Sequence, residues 1–287
     1  DYICNITMDE KSVNIIVLNW NQRELSLECI RSLEKTTYKN KRIVFVDNGS
    51  NDGSSESVKT LHPNVEIIQL ETNIGYAAGN NFGFNAIKHK SKYTIFLNND
   101  TFVDPGFIEP LVEELERNPH TVQAVPKIFY ASEKNTLWYA GGSVNLAFSQ
   151  IHHIGIRSNS TESFNERKPV DYATGCCFCI RSEDYAEYGM FDEGYKMYCE
   201  DVDLSLTIRK RGGKIIYVPT SKVWHHVSIS TGGNHSFSKW RKKHSSIIKL
   251  ILKHVNVAML PISILFYSIK ALLSLMIIPI LKMNLKR

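Results

Sequence analysis

Acidic residues are absent from the C-terminal part of this sequence. Asp203 is the last of the 29 Asp and Glu residues in the 287-residue chain, whereas residues 204–287 hold 15 Lys and Arg. Residues 1–203 hold the other 19 basic residues against all 29 acids, a net charge of −10. An acidic front and a basic tail predict two roles, in which the tail faces an anionic partner.

Cysteine is also scarce. Six irregularly spaced cysteines are too few for a disulfide framework in a chain of this length, so we expect reduced thiols in a cytosolic compartment. The run Cys176–Cys179 lacks the usual gap between zinc ligands, which favours buried strand thiols over a metal site. Residues 1–11 contain no apolar core, which predicts that they are not a signal peptide. The cysteines are Cys4, Cys29, Cys176, Cys177, Cys179 and Cys199.

Several common nucleotide-binding and hydrolase motifs are missing. The run Gly75–Gly79 does not have the Gly-x-Gly-x-x-Gly spacing, and Gly212–Ile215 lacks the Ser or Thr of a P-loop. No Gly-x-Ser-x-Gly motif is present. These absences argue against hydride transfer, ATP hydrolysis and the α/β-hydrolase fold. The basic tail lacks interleaved aromatic residues beyond Trp240, so nucleic acid is not an expected partner.

Short apolar strands alternate with amphipathic helices over the first 125 residues. This rhythm predicts an α/β fold with a central, mostly parallel sheet covered on both faces. After Pro126 we expect shorter strands and loops, a strand-like run at 170–180 and a short helix at 204–211. The predicted strands of the first part are 13–18, 43–46, 65–70, 93–97 and 122–125, and helices are expected at about 76–89 and 105–116, the second with Pro105 in its first turn.

Polar clusters follow three of these strands, at 19–21, 47–48 and 98–100. Ligands bind at the carboxyl ends of the strands in such sheets, so the clusters predict a binding site. Asp100 could bind Mg²⁺ or Mn²⁺, which would neutralise a diphosphate. The run Asn98-Asn99-Asp100 is equally good turn chemistry, and these residues alone leave both interpretations open.

Two further clusters have functional and structural interpretations. Glu200, Asp201 and Asp203 begin a predicted helix, where capping and the helix dipole would explain them, but a carboxylate there could also act as a general base. The neighbouring His225 and His226 are either a metal ligand with a neighbour or plain surface residues.

The tail is basic with an apolar face at 239–253 and almost wholly apolar at 255–281. This pattern predicts a helix that spans or lies in a membrane, since basic flanks suit anionic lipids; a helix pair packed on the protein's own core is the alternative. Prolines at 261 and 279 and a narrow polar stripe favour a helix lying in the interface. The stripe consists of Ser263, Tyr267, Ser268, Lys270 and Ser274.

Together the motifs resemble family 2 glycosyltransferases with the GT-A fold, most closely the rhamnosyltransferase-like branch, over about residues 12–230. The matching blocks are VNIIVLNWN at 13–21, VDNGS at 46–50, NIGYAAGN at 73–80, LNND at 97–100, ATGC at 173–176, FDE at 191–193, YCEDVDL at 198–204 and HH at 225–226.

The resemblance implies a nucleotide-sugar site. Asp47 would accept a hydrogen bond from the imide N–H of uracil or thymine, and Asn19 and Asn73 would line the nucleotide pocket. Asn98 stands where the family's Asp-x-Asp metal motif has its first Asp. An Asn carbonyl can still coordinate a cation, with less charge.

The resemblance also implies the catalytic groups. Asp100 would bind a divalent cation, Mg²⁺ or Mn²⁺, that bridges the diphosphate, and His226 would be a further ligand. Asp201 resembles the general base of inverting enzymes, with Glu200 beside it.

We therefore expect a GT-A domain at 12–230, with a nucleotide-binding half at 12–125 and an acceptor half at 126–230, and a membrane-associating or transmembrane segment at 236–287. The expected function is inverting transfer of a sugar from a UDP- or dTDP-sugar to a hydroxyl of a glycan or lipid-linked acceptor, at the cytoplasmic face of a membrane. An inactive donor-binding or scaffolding relative in a glycan-assembly complex is the alternative. A nucleotidyltransferase ranks lower, because residues 19–21 offer no basic phosphate-binding loop.

Overall fold

The computed structural model describes residues 11–159, 162–195, 198–227 and 237–284. Residues 1–10, and Cys4 with them, lie outside the described residues. The strands are β1 (Val13–Asn19), β2 (Lys41–Asn48), β3 (Glu66–Leu70), β4 (Tyr93–Asn98), β5 (Thr101–Val103), β6 (Thr121–Tyr130), β7 (Leu137–Tyr139), β8 (Gly142–Asn145), β9 (Gln150–His153), β10 (Lys168–Pro169), β11 (Cys177–Arg181) and β12 (Lys214–His225). The helices are α1 (Arg23–Glu34), α2 (Ser54–Leu61), α3 (Tyr76–Ala86), α4 (Ile108–Arg117), α5 (Ser182–Glu187), α6 (Glu200–Lys210), α7 (Phe237–His254) and α8 (Leu260–Asn284), with 3₁₀ turns at Leu146–Phe148, Glu162–Phe164 and Val257–Met259.

One large mixed sheet organises the chain, in the order β10-β12-β6-β11-β4-β1-β2-β3, with β5 paired to β12 and β7 to β6. The strands β3, β2, β1 and β4 are parallel neighbours, and so are β6 and β12. β11 runs antiparallel between β4 and β6. The prediction of a mostly parallel α/β sheet is confirmed; β8 and β9 form a separate two-stranded sheet.

The register of the central strands brings the predicted strand-end clusters together. Asn19 lies opposite Asp47, and its neighbour Leu18 lies opposite Asn98. All seven residues of β1 and all ten of β6 are buried. Strands buried on both faces read as continuous apolar runs, which is why the sequence located them.

Several predicted boundaries differ from the structure. α4 begins at Ile108, so the prediction that Pro105 lies in its first turn is wrong. Asp104 forms a turn instead: its carbonyl accepts from the N–H of Phe107 (3.1 Å) and its Oδ1 from that of Gly106 (3.0 Å). α6 begins at Glu200, which agrees with the prediction that the acidic cluster begins a helix and extends the predicted range 204–211 by four residues.

The second part of the sheet is also arranged differently from the expectation. The run at 170–180 is a strand only from Cys177 onward. β6 continues to Tyr130 and so crosses the expected boundary at 125/126. Both expected halves therefore contribute to one continuous sheet, and their division remains a prediction.

The cysteines within the described residues are free and buried: Cys29, Cys176, Cys177, Cys179 and Cys199. Burial raises the pKa of all five thiols. A thiol that stays protonated is a weak nucleophile and a weak metal ligand. The interpretation of the run Cys176–Cys179 as buried strand thiols is confirmed for Cys177 and Cys179, whereas the buried Cys176 precedes β11.

α8 turns most of its polar stripe towards the protein, whereas Ser268 is exposed. Ser263 is fully buried. The hydroxyl of Tyr267 donates to the carbonyl of His244 at 3.1 Å, and Lys270 Nζ donates to the carbonyl of Phe148 at 2.9 Å. Since these groups are used within the protein, the stripe no longer favours a helix lying in the membrane interface.

The opposite side of α8 is apolar and exposed. Within the described chain, one helical stretch is long and apolar enough to cross a membrane, Val257–Ser274, and 11% of it is buried. The apolar residues on this side of α8 are exposed, which disagrees with the alternative of a helix pair packed on the protein's own core. Its exposed residues are Ile262, Ile264, Leu265, Phe266, Ile269, Leu272 and Leu273.

Candidate active site

A cleft of about 610 Å³ opens at the carboxyl ends of β1, β2 and β4, a size typical of small-molecule sites. Of the predicted residues, Asn19, Asn73, Asn98 and Asp100 line it, whereas Asp47, Glu200, Asp201 and His226 do not. The lining residues are Leu18, Asn19, Trp20, Asn48, Asn73, Ile74, Gly75, Tyr76, Asn98, Asn99, Asp100, Glu193 and Lys242.

Asn48 shapes one wall of the cleft; it belongs to the predicted cluster at 47–48, but no role was assigned to it. Its Nδ2 donates to Asn73 Oδ1 and to the carbonyl of Gly75, both at 3.1 Å, and its Oδ1 accepts from the N–H of Ile74 at 3.0 Å. One buried amide thus fixes the loop that precedes α3. Its position at the end of β2, beside Asp47, was the available sequence signal.

Asn19 and Asn99 belong to a buried amide–hydroxyl network. Asn19 Oδ1 accepts from Asn99 Nδ2 and from Ser26 Oγ, both at 2.9 Å, and Asn19 Nδ2 donates to Ser50 Oγ at 3.0 Å. Asn99 therefore ties β4 to α1. Its two neighbours, Asn98 and Asp100, remain to face the cleft.

Asp47 is buried at the end of β2 and has partners within the protein. Its Oδ1 accepts from the N–H of Ser50 at 3.1 Å, and its Oδ2 accepts from the Ser55 hydroxyl. These contacts hold the turn between β2 and α2. Contact of Asp47 with a base remains a prediction.

Asp100 is the carboxylate of the cleft, and His225 is the imidazole beside it. β5 pairs with the end of β12 so that Thr101 lies opposite His225, which brings His225 Nε2 to 3.2 Å from Asp100 Oδ1. The two atoms do not have hydrogen-bond geometry, and Asp100 Oδ1 is buried without a hydrogen-bond partner among the described residues. Trp138 packs edge-on against the His225 ring at 4.5 Å.

His226, the predicted metal ligand, points elsewhere. Its Nε2 lies 3.3 Å from Glu28 Oε2, and only its backbone meets Asp100, whose carbonyl accepts the His226 N–H at 2.8 Å. Successive side chains on a strand point to opposite faces, so only one member of the His-His pair can reach Asp100. The geometry favours His225.

Asp100 and His225 suit a divalent cation as a partial ligand set. Asp100 Oδ1 is buried and accepts no hydrogen bond from the described residues, and it lies 3.2 Å from His225 Nε2, so the two atoms could share one ion. Mg²⁺ and Mn²⁺ usually take one or two protein ligands and fill the other positions with phosphate oxygens and water. Among the residues that the structure describes, no three or more His, Cys, Asp or Glu side chains form a metal centre of their own.

The acidic cluster lies at the N-terminus of α6, after a tight turn. Tyr198 and Cys199 both have a φ of 71°, the left-handed region that non-glycine residues seldom adopt. The following Asp201 is fixed by the backbone: its Oδ2 accepts from the N–H of Gly175 and its Oδ1 from that of Val202, both at 2.8 Å. Glu200 is buried, and its Oε2 has no partner among the described residues.

Burial raises the pKa of both acids at this turn. For Glu200, burial and then the neighbouring charge of Asp201 raise the pKa to about 8. For Asp201, burial raises the pKa although its backbone hydrogen bonds oppose the rise. A buried carboxylate pair with raised pKa values is suited to accept a proton near neutral pH.

A short hydrogen-bonded path connects this pair to the cleft. Tyr76, which lines the cleft, donates from its hydroxyl to the carbonyl of Gly175 at 2.6 Å, and the N–H of Gly175 holds Asp201. After burial, the charges of Asp100 and Asp201 both raise the pKa of the Cys176 thiol. Both carboxylates therefore lie near Cys176.

The family model described as "Glycosyl transferase family 2" matches residues 14–189, more than half of the chain. The chain belongs to glycosyl transferase family 2. The resemblance inferred from the motif blocks is thereby confirmed, and with it the assignment of the protein as a glycosyltransferase.

Curated relatives of this family 2 glycosyltransferase include rhamnosyltransferases. The chain is 27% identical over 224 residues to N-acetylglucosaminyl-diphospho-decaprenol L-rhamnosyltransferase of Mycobacterium tuberculosis, covering 71% of this chain and 72% of the relative. It is 26% identical over 172 residues to rhamnosyltransferase WbbL of Escherichia coli, covering 57% of this chain and 64% of the relative.

Solved structures confirm the GT-A type of fold. GalNAc-T7, solved with UDP, GalNAc and Mn²⁺, superposes with a TM-score of 0.68 at 19% identity over 85% of this chain. The mannosyltransferase PcManGT from Pyrobaculum calidifontis, in complex with GDP-Man and Mn²⁺, gives 0.60 at 14% identity over 84%. The chain spans about half of the first structure and 63% of the second.

Proposed function

We propose that the protein is an inverting glycosyltransferase that moves a sugar from a UDP- or dTDP-sugar to a hydroxyl of a lipid-linked glycan acceptor. The observation that carries this proposal is the presence of one carboxylate, Asp100, in the cleft and of a second, Asp201, connected to the cleft through Gly175 and Tyr76. Asp100 has a buried oxygen without a hydrogen bond from any described residue, and Asp201 belongs to an acid pair whose pKa values are raised. The Asp100 carboxylate is suited to bind a cation, and the Asp201 carboxylate is suited to accept a proton.

On the donor side, Asn19, Asn73 and Asn98 would line the nucleotide-sugar site with Asp47 beneath it. The diphosphate would lie at the end of β4, where Asp100 and His225 would hold Mg²⁺ or Mn²⁺. When bound, such an ion neutralises charge on a diphosphate leaving group. That two structural neighbours contain Mn²⁺ supports this choice of ion.

On the acceptor side, Asp201 would take the proton. The acceptor oxygen forms a bond to the anomeric carbon as its proton passes to the Asp201 carboxylate. The bond from that carbon to the phosphate oxygen breaks on the opposite face, and the nucleoside diphosphate leaves with the electron pair. A single displacement inverts the anomeric centre. Gly175 and Val202 hold the carboxylate in place, so little reorganisation is needed for the transfer.

Replacing Asp201 by Asn tests this assignment. Asn keeps the shape but cannot accept the proton, so we expect kcat to fall by about 10²- to 10⁴-fold with little change in donor binding. Turnover would be measured as nucleotide release from a panel of UDP- and dTDP-sugars with Mn²⁺. Asp184→Asn, an acid of α5 paired with Arg181 at 2.9 Å, is the matched control.

An Asp201→Asn variant as active as Asp184→Asn would exclude Asp201 as the base. Donor binding by the unmodified protein without turnover on any acceptor would favour the alternative of an inactive donor-binding relative.

The tail and one relative support the proposed acceptor and location. The mycobacterial relative is named for a diphospho-decaprenol acceptor, and α8 exposes the apolar side that a bilayer would cover. We infer that this protein works at the cytoplasmic face of a membrane. Full burial of a Leu side chain is worth about 1.5–3 kcal/mol, which is at least about tenfold in an equilibrium constant.

Vesicle flotation tests the membrane assignment on the full chain. Leu265→Glu should lower the fraction bound to anionic vesicles by about tenfold or more, because it places a charge in the apolar side. Leu61 on α2 is equally exposed, at 60%, and Leu61→Glu is the control. Equal flotation of the two variants would refute a membrane role for this side of α8.

A further inference from the structure

The cleft contains a basic residue that comes from the C-terminal segment. Lys242 of α7 lines the cleft together with Asn98 and Asp100. It is the only Lys, Arg or His among the described lining residues, whereas Asp100 and Glu193 contribute negative charge. A site for a diphosphate needs positive charge, and Lys242 is the side chain that can supply it directly.

Lys242 has no ion pair or hydrogen bond with any described residue. This separates it from two other lysines on α7. Lys249 Nζ lies 2.8 Å from Asp192, and Lys253 Nζ lies 3.1 Å from Asp192 and 2.8 Å from Asp203. The two paired lysines and His254, whose Nε2 lies 2.7 Å from Asp203, hold α7 against the catalytic domain.

Because α7 is a regular helix, the ion pairs of Lys249 and Lys253 also determine which way Lys242 faces. Lys249 and Lys253 follow Lys242 by seven and eleven positions, which places each of them within about 20° of Lys242 around a helix of 3.6 residues per turn. Lys242 therefore shares the face that Lys249 and Lys253 present to Asp192 and Asp203. At about 1.5 Å per residue, it lies about 10 Å along the axis from Lys249, where the neighbouring surface is the cleft.

The simpler interpretation is that Lys242 is a solvated surface lysine, which could lie on any face of α7. The ion pairs of Lys249 and Lys253 determine the face on which Lys242 lies, because they fix which face of α7 contacts the catalytic domain. Glu193 is a nearby acid, but no ion pair joins it to Lys242 among the described residues, and its Oε1 accepts from Asn81 Nδ2 at 2.9 Å. The Lys242 ammonium is thus available to a ligand.

We propose that Lys242 binds a diphosphate in the cleft, so that the C-terminal segment completes the active site. This inference rests on the proposed function, because a glycosyltransferase of this kind handles a diphosphate in its donor. The same chemistry occurs in a lipid-diphosphate acceptor, and the experiment separates these two sources.

Isothermal titration with the full chain in detergent and Mn²⁺ tests the donor source. The probes are UDP and dTDP, each compared with its monophosphate. A charged hydrogen bond to phosphate is worth about tenfold or more in affinity. We expect Lys242→Gln to weaken binding of the preferred diphosphate about tenfold and that of the monophosphate less than twofold, with Lys242→Arg close to the unmodified protein. Arg241→Gln removes the same charge one position away and should change neither.

Steady-state kinetics test the acceptor source. A tenfold higher KM of Lys242→Gln for a prenyl-diphosphate-linked N-acetylglucosamine, with nucleotide affinity unchanged, would assign Lys242 to the acceptor diphosphate. Equal behaviour of Lys242→Gln and Arg241→Gln in both experiments would overturn the proposal while leaving the proposed function standing. An unmodified protein that neither binds a nucleoside diphosphate nor turns over a nucleotide-sugar would refute the proposed function, and the role of Lys242 with it.

Discussion

Asp203→Asn is the substitution that tests how α7 is held on the catalytic domain. Asp203 is 2% exposed and is the acid of α6 that contacts the C-terminal segment. Its Oδ2 lies 2.8 Å from Lys253 Nζ, and its Oδ1 lies 2.7 Å from His254 Nε2 and 3.2 Å from the hydroxyl of Tyr195. Asn keeps the shape and one acceptor but removes the charge.

The expected loss can be worked out from these contacts. A hydrogen bond to a charged group contributes about 1.5–3 kcal/mol. The Lys253 contact counts for less, because Lys253 is 41% exposed and keeps Asp192. The His254 contact counts nearly in full, because both side chains are at least 90% buried. We expect Asp203→Asn to lower the free energy of unfolding by about 2 kcal/mol, or Tm by about 4 °C in a chain of this size.

The pH dependence gives a second readout with a definite sign. Although burial alone would raise it, hydrogen bonds from His254 and Lys253 hold the pKa of Asp203 below its ordinary value. A carboxylate with a lowered pKa stabilises the fold above its unfolded pKa of about 3.9 and loses that contribution in more acidic solution. The difference in stability between the unmodified protein and Asp203→Asn should therefore shrink as the pH falls below about 4.

Thermal and urea unfolding of the full chain in detergent measure this difference. Glu133→Gln is the control, because Glu133 and Arg157 form a pair at 2.9 Å in which both side chains are more than half exposed. Exposed pairs contribute little, so we expect less than about 0.5 kcal/mol. An Asp203→Asn variant no less stable than Glu133→Gln would refute the argument that these ion pairs hold α7.

Two further predictions concern the base. Burial raises the pKa of Glu200 to about 8, so kcat/KM should fall as the pH is lowered through that region. Glu200→Gln should move this fall in kcat/KM to lower pH. A pH–rate profile that Glu200→Gln leaves unchanged would contradict the idea that Glu200 and Asp201 titrate as a pair. Gly175→Ala would place a Cβ 3.1 Å from the Tyr76 hydroxyl and 3.5 Å from Asp201 Oδ2, so we expect kcat to fall about tenfold. Gly106→Ala is the control: its Cβ would meet only Asp104 Oδ1, at 3.6 Å, and kcat should be unchanged.

The sequence predicted the central part of the fold because its signals there are local. β1, β2 and β4 are continuous apolar runs that end in polar residues, and those ends mark the cleft. The antiparallel insertion of β11 between β4 and β6 could not be read in the same way. It depends on pairing between segments far apart in the chain, and Cys177–Arg181 has the same apolar character whichever neighbours it takes.

Local sequence signals also predicted part of the candidate site. Strand-end position predicted Asp100, and the motif blocks predicted Asp201, but neither signal says which way a side chain points. The choice of His226 over His225 illustrates this limit: the two differ only in the face of the sheet they occupy. Asn99 likewise belongs to a cluster that looks functional, yet its amide is used to hold Asn19 and Ser26.

The charge asymmetry of the sequence was interpreted as a basic tail facing an anionic partner, and the structure gives part of that charge an internal use. Lys249 and Lys253 neutralise Asp192 and Asp203, acids of the front part of the chain. The pairing fixes α7, whose partner helix α8 keeps its apolar side exposed. A membrane that takes up this side would therefore lie at a fixed position relative to the cleft. In such an arrangement a lipid-linked acceptor and the Lys242 ammonium would meet through one helix pair, which is why the ion pairs, the cleft and the membrane should be tested together.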